Sequence, residues 1–115
     1  MNPQIRTNQC LRLLSNQYRK DFNSVRLNTH NSIQHELAKC KVAYELIADG
    51  NTILTEAIFK NGSRADILIP ELFIVYEILH SETTKEVLLK KDYYPKELEI
   101  RPLLASDVLK NNIFI

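Results

Sequence analysis

Apolar residues crowd the middle of the chain, and turn residues break them into short runs. From Thr52 to Ser81 the sequence reads TILTEAIF, KNGS, RADILI, Pro70-Glu71 and LFIVYEILHS. Runs of this length, rich in β-branched, leucine and aromatic residues, predict three strands. The first, Thr52 to Phe59, sets Leu54, Glu56 and Ile58 on one face and Ile53, Thr55, Ala57 and Phe59 on the other. Asn61-Gly62 is a hairpin turn signal. The second strand, Arg64 to Ile69, ends at Pro70 and carries Arg64, Asp66 and Leu68 on one face. The third, Leu72 to His80, groups Phe73, Val75, Glu77 and Leu79. Both faces are apolar, which predicts a sheet covered on both sides.

Helical periodicity flanks these strands. From His30 to Asp49 the apolar residues Ile33, Leu37, Cys40, Tyr44 and Ile47 form one stripe, with Asn31 or Ser32 as cap and Gly50 as terminator. Glu36 falls at the border of that stripe, roughly 60° from Ile33 at about 100° per residue. Leu11, Leu14 and Tyr18 predict an earlier helix from about Asn8 to Lys20, followed by a loop at Asn23-Ser24. Ser81 can cap a helix to about Asp92, with Glu82 and Glu86 early and Lys90-Lys91 late, as the macrodipole favours. A strand at about Leu98 to Leu103 would then join the third strand in parallel through a right-handed crossover, and Ala105 to Lys110 reads as one last helical turn. The expected architecture is α/β, a small mixed sheet flanked by helices.

Length and charge narrow the picture. A chain of 115 residues is one domain with a modest core, and its charged fraction of 25% is that of a water-soluble globule. No apolar run approaches a membrane span, and the polar start has no signal-peptide pattern. Cys10 and Cys40 have no metal-site spacing, so two reduced thiols and a cytoplasmic, intracellular setting are expected. The net charge of +1 excludes a polycation. Yet Arg6, Arg12, Arg19, Lys20 and Arg26 face a single acid, Asp21, within the first 29 residues. Such an arm beside an acidic centre suits contact with a nucleic acid; a solvated helix face has the same composition.

Each predicted strand carries one carboxylate where a buried strand should carry none: Glu56, Asp66 and Glu77. Buried charges are paired or hold a metal. Three or four carboxylates, counting Glu36, cannot ionise side by side without a counter-charge, and Mg²⁺ or Mn²⁺ is the hard cation that oxygen ligands favour. Arg64, on the face of Asp66, offers an ordinary ion pair instead. His30 and His35 do not share a helix face, which excludes a zinc pair, and His80 has the wrong parity to join Glu77. The chain has only two glycines and no phosphate-cradling loop, and it shows no Ser or Cys nucleophile arrangement. Tyr93-Tyr94 can stack on bases or pack in the core.

The segment RADILIPELFIVYEIL resembles the core of the PD-(D/E)XK nuclease superfamily, the restriction endonuclease-like fold shared with Holliday-junction resolvases. The resemblance runs from about His30 to Leu103, after an arm over residues 1–29. It implies a metal-dependent nuclease that cleaves DNA, with Asp66 and Glu77 as metal ligands and Glu56 and Glu36 as further ligands or water-positioners. A homodimer would suit a chain this small if both strands of a duplex are cut. Ala65 replaces the motif proline, and Leu79 stands where the motif has lysine. That lysine is expected to position the attacking water or to stabilise the transition state. Lys39 points off the apolar stripe, Lys60 lies roughly 13 Å along the strand from Glu56, and Lys85 follows in the next helix. Three outcomes stay open: a lysine supplied from elsewhere, a site that relies on metal, or an inactive fold kept as a nucleic-acid or protein binding module.

Overall fold

The structure is a computed structural model and describes residues 2–15, 21–80 and 92–111. Its elements are α1 (Pro3–Leu11), α2 (Ile33–Ala48), β1 (Leu54–Ile58), β2 (Arg64–Ile69), a 3₁₀ turn (Pro70–Leu72), β3 (Ile74–Leu79), β4 (Glu99–Leu104) and α3 (Ala105–Asn111). The four strands lie in the order β1-β2-β3-β4. The first two pairings are antiparallel and β4 joins β3 in parallel, so the sheet is mixed as expected. Pro102 lies on β4, at the edge, where a missing N–H is tolerated.

Local chemistry sets the boundaries. The Asn2 side chain accepts from the Gln4 N–H and Pro3 opens α1. That helix stops at Leu11, well short of the expected Lys20, because Leu13 to Ser15 turn to bond the edge of β1: Ser15 N–H donates to Ile58 O and Lys60 N–H to Leu13 O. Ser32 caps α2 through the His35 N–H, and Gly50, at φ +92°, follows its end. β3 begins two residues later than expected because Pro70–Leu72 coil into the 3₁₀ turn. The expected helix from Ser81 lies outside the described residues apart from Asp92.

Side chains fill two layers, one on each side of the sheet. On one side Ala38, Val42, Ala43 and Leu46 of α2, with Val108 of α3, pack on Ile67, Ile69, Tyr76 and Ile78. On the other, Cys10, Leu14, Tyr94 and Leu98 cover Leu54, Phe59, Leu68 and Val75. Burying a residue such as Val42 or Leu46 contributes about 1.5–3 kcal/mol.

The apolar stripe expected to seat α2 is not the buried one. Ile33, Leu37 and Tyr44 are 74%, 54% and 72% exposed, and Cys40 is only half-buried. The helix instead buries Ala38, Val42, Ala43 and Leu46 together with His35, Glu36 and Lys39. Two alanines let the helix lie close to the sheet, and the three polar residues meet the strand acids. Among the described residues no helix is long and apolar enough to cross a membrane.

Candidate functional site

The strand acids fall on one row. In the β1–β2 register Glu56 and Asp66 face each other between the pairs Thr55↔Ile67 and Ala57↔Ala65. In the β2–β3 register Asp66 and Glu77 occupy the position after Ile67↔Tyr76, where the ladder stops. There the Asp66 side chain replaces a backbone acceptor: the Ile78 N–H donates to Asp66 Oδ2 at 2.8 Å.

Glu56 reaches the site through an unusual backbone. Its φ is +52°, the left-handed region that side-chain-bearing residues avoid. Leu54, Ala57 and Phe59 all join the same core layer, so strict alternation fails across Glu56. The sequence reading placed Leu54, Glu56 and Ile58 on one face and Ala57 and Phe59 on the other; the left-handed residue resets that parity.

A single helical face supplies the opposing charge. His35, Glu36 and Lys39 lie at successive, i+1 and i+4 positions of α2, side by side over the acids. The Lys39 Nζ, with no exposed surface, donates to Glu36 Oε1 at 2.6 Å and to Arg26 O at 2.5 Å, and lies 3.5 Å from Glu56 Oε2. The two nitrogens of His35 face two carboxylates, Glu36 Oε2 at 2.6 Å and Asp66 Oδ2 at 3.4 Å. Asn28 ties the loop before α2 to the cluster. Its N–H donates to Glu36 Oε1 at 2.6 Å and its side-chain amide to Glu56 Oε1 at 2.9 Å. Asn31 donates to Glu36 Oε2 at 3.1 Å. Lys39 therefore does not point away from the site, as its offset from the apolar stripe suggested.

These contacts set the protonation states. Asp66, as hydrogen-bond partner, raises His35 to about 9 against the opposing effect of burial, with Glu36 adding to the rise. Burial pushes Glu36 up, but hydrogen bonds from Lys39, the Asn28 N–H, His35 and Asn31 outweigh it and hold the carboxyl at about 2. Near neutrality His35 is thus an imidazolium beside an ionised Glu36.

Glu77 stands on the far side of the row. Its Oε2 accepts from the Tyr94 hydroxyl at 2.5 Å, and that hydroxyl also lies 2.7 Å from Arg64 O. Burial, and then the charge of Glu77, push the Tyr94 phenol upward, so it is a permanent donor. Tyr94 packs edge-on against Phe59 with centroids 5.9 Å apart.

Among the described residues one buried side-chain oxygen, Glu56 Oε2, has no hydrogen bond, and its nearest cation is the Lys39 ammonium at 3.5 Å. A buried carboxylate oxygen without a hydrogen bond is costly and leaves room for a further donor, a water or an ion. The donor chemistry of Asp66, Glu77 and Glu56 is that of a hard-cation site. Among the described residues no group of three or more His, Cys, Asp or Glu side chains is placed to hold a metal ion.

The expected nucleic-acid residues are dispersed. Arg6 and Arg12 lie on and just after α1, Arg19 and Lys20 fall outside the described residues, and Arg26 pairs with Asp21 at 2.5 Å. Sequence reasoning grouped Glu36, Glu56, Asp66 and Glu77; it weighed His35, Lys39 and Tyr94 only in other roles and did not single out Asn28. The signal for His35 and Lys39 was present in HELAK, where one turn of helix aligns His, Glu and Lys. No family model, curated protein or solved structure matches this chain.

Proposed function

We propose that the protein is a metal-dependent nuclease that hydrolyses phosphodiester bonds in DNA, of the PD-(D/E)XK type. The observation that carries this reading is the buried Glu56 Oε2, which has no hydrogen bond and only the Lys39 ammonium at 3.5 Å, held by a left-handed backbone in the same row as Asp66 and Glu77. Strain of this kind costs about 1–3 kcal/mol and gathers at functional sites. The element order, a helix, an antiparallel three-strand meander and a parallel fourth strand, supports the restriction endonuclease-like assignment.

In this mechanism Asp66, Glu77 and Glu56 would hold Mg²⁺ or Mn²⁺. When bound, the ion would supply an activated water and neutralise charge developing on the phosphate. Lys39 answers the absence of the motif lysine at Leu79. It brings an ammonium to the acids from the helix instead of from the strand. His35 fixes Asp66 and Glu36 relative to each other, and Tyr94 orients the Glu77 carboxylate.

The test is DNA cleavage with Mn²⁺ or Mg²⁺, together with the melting temperature as Mn²⁺ is added. Cleavage is expected, and Asp66→Ala is expected to abolish it. A bound ion stabilises by about 2.7 kcal/mol at a hundred times its Kd, so the wild type should gain stability and Asp66→Ala should not. Cleavage that survives Asp66→Ala overturns the assignment.

A second reading has its own support. Lys39 and His35 already balance Glu36, Glu56 and Asp66, which is how a fold that has lost catalysis would satisfy its buried acids. A binding module of this kind would neither cleave DNA nor gain stability from Mn²⁺.

A further inference from the structure

Arg64 stands between two clefts. The first, of about 240 Å³, is lined by Arg26, Asn28, Thr29 and Glu56 as well as Arg64. The second, of about 200 Å³, is lined by Ser63, Glu77, Tyr93 and Tyr94 as well as Arg64. Each cleft therefore has one acid of the candidate site in its wall, and the guanidinium of Arg64, half in solvent and 3.8 Å from Glu56, belongs to both.

Tyr93 is the residue the catalytic reading leaves unused. It is 69% exposed while its neighbour Tyr94 is buried. Its backbone is fixed from two directions: Asn61 donates to the Tyr93 carbonyl at 2.9 Å, and Tyr94 is anchored through its hydroxyl to Arg64 O and Glu77. The backbone that carries the ring is thus anchored, and the exposed ring shares a cleft wall with Arg64 and Glu77. Single exposed aromatics are ordinary on protein surfaces; one fixed in a cleft with an arginine is the arrangement that receives stacked bases.

We propose that the two clefts form the path of an unpaired DNA strand, with Tyr93 as a stacking platform for one base and Arg64 and Arg26 against the backbone phosphates. The inference rests on the nuclease reading for the identity of the polymer. The recess of the acids favours an unpaired strand over a duplex. Glu56 is 7% exposed and lies in the wall of a shallow, open cleft. A duplex is stiff over about 150 base pairs and presents its phosphates on a broad cylinder. A single strand can bend a phosphate into the recess while its base turns onto Tyr93.

The experiment is fluorescence anisotropy without added metal, using a labelled 15-nucleotide strand and the duplex of the same sequence. The single strand should bind at least tenfold more tightly than the duplex. Stacking is worth about 1–3 kcal/mol per base, so Tyr93→Ala should weaken single-strand binding by about 5- to 150-fold, while Tyr93→Phe retains it. Arg64→Gln should reduce the salt dependence of single-strand binding by about 0.7 in log–log slope. Both residues are exposed, and matching melting temperatures would show that the variants fold. Duplex binding as tight as single-strand binding, or single-strand affinity unchanged in Tyr93→Ala, overturns the path. The two readings fail separately. Single-strand binding that depends on Tyr93 without any Mn²⁺-dependent cleavage removes the nuclease and leaves the path. Duplex cleavage indifferent to Tyr93→Ala does the reverse.

Discussion

Lys39 places its ammonium 2.6 Å from the carboxylate of Glu36, one helical turn before it, with none of the lysine in contact with solvent. A fully buried lysine is rare, and removing its partner or the lysine itself leaves a charge stranded in the interior. Lys39→Met is expected to lower stability by about 3–5 kcal/mol, read by urea denaturation. The double variant Lys39→Met, Glu36→Gln should lose clearly less than the sum of the two single changes. Additive losses would show that the two side chains are not coupled.

The pH dependence follows from the same cluster. His35 titrates at about 9 in the folded chain against 6.5 as its ordinary value. Its contribution is therefore complete below pH 6.5 and is lost as pH rises through about 9. Glu36 is displaced the other way, from 4.5 to about 2, so its contribution is complete above pH 4.5 and is lost as pH falls through about 2. The melting temperature should fall on both sides of a plateau, and His35→Gln should flatten the alkaline side most, with a smaller change on the acid side because His35 is one of the groups that hold Glu36 down.

Glu56 offers a test of stored strain. Glu56→Gly and Glu56→Val both lose the contacts of Glu56 to Asn28 and Lys39, but glycine also relieves the left-handed backbone at φ +52°, so it should be the more stable of the two. Glu56→Val keeps the strain with a branched side chain and should cost about 2 kcal/mol or more relative to glycine. If glycine is the more damaging change, the strain argument fails.

The two thiols should differ in reactivity. Cys10 is fully buried; burial first, and the charge of Glu97 second, push its thiol up to about 12. Cys40 is half-exposed on α2. A thiol reagent should label one cysteine per native chain quickly and the second only in denaturant. Rapid labelling of both would contradict the packing of α1.

The sheet was legible because it is written locally. Period-two apolar runs, Asn61-Gly62 and Pro70 delimit β2 to the residue, and the β4 crossover follows from a helical pattern between two strands. The seating of α2 was not legible. Ile33, Leu37 and Tyr44 are the strongest apolar periodicity on that helix, yet the buried side is built of small residues plus His35, Glu36 and Lys39. Hydropathy counts a lysine as solvent-facing, and only its partners Glu36, the Arg26 carbonyl and the strand acid Glu56 make its burial favourable. The break in alternation at Glu56 was equally hidden, since a positive φ at glutamate follows from the surroundings and leaves no trace in residue type.

The row of acids also fixes when the cluster can exist. Glu36, Glu56, Asp66 and Glu77 come from one helix and three different strands, and Tyr94 arrives only after the chain has passed β3. No fragment cut between those positions holds enough of the constellation to assemble it. Whatever chemistry the cluster performs should consequently appear late in refolding, in step with the closing of the whole sheet and not with the formation of α2.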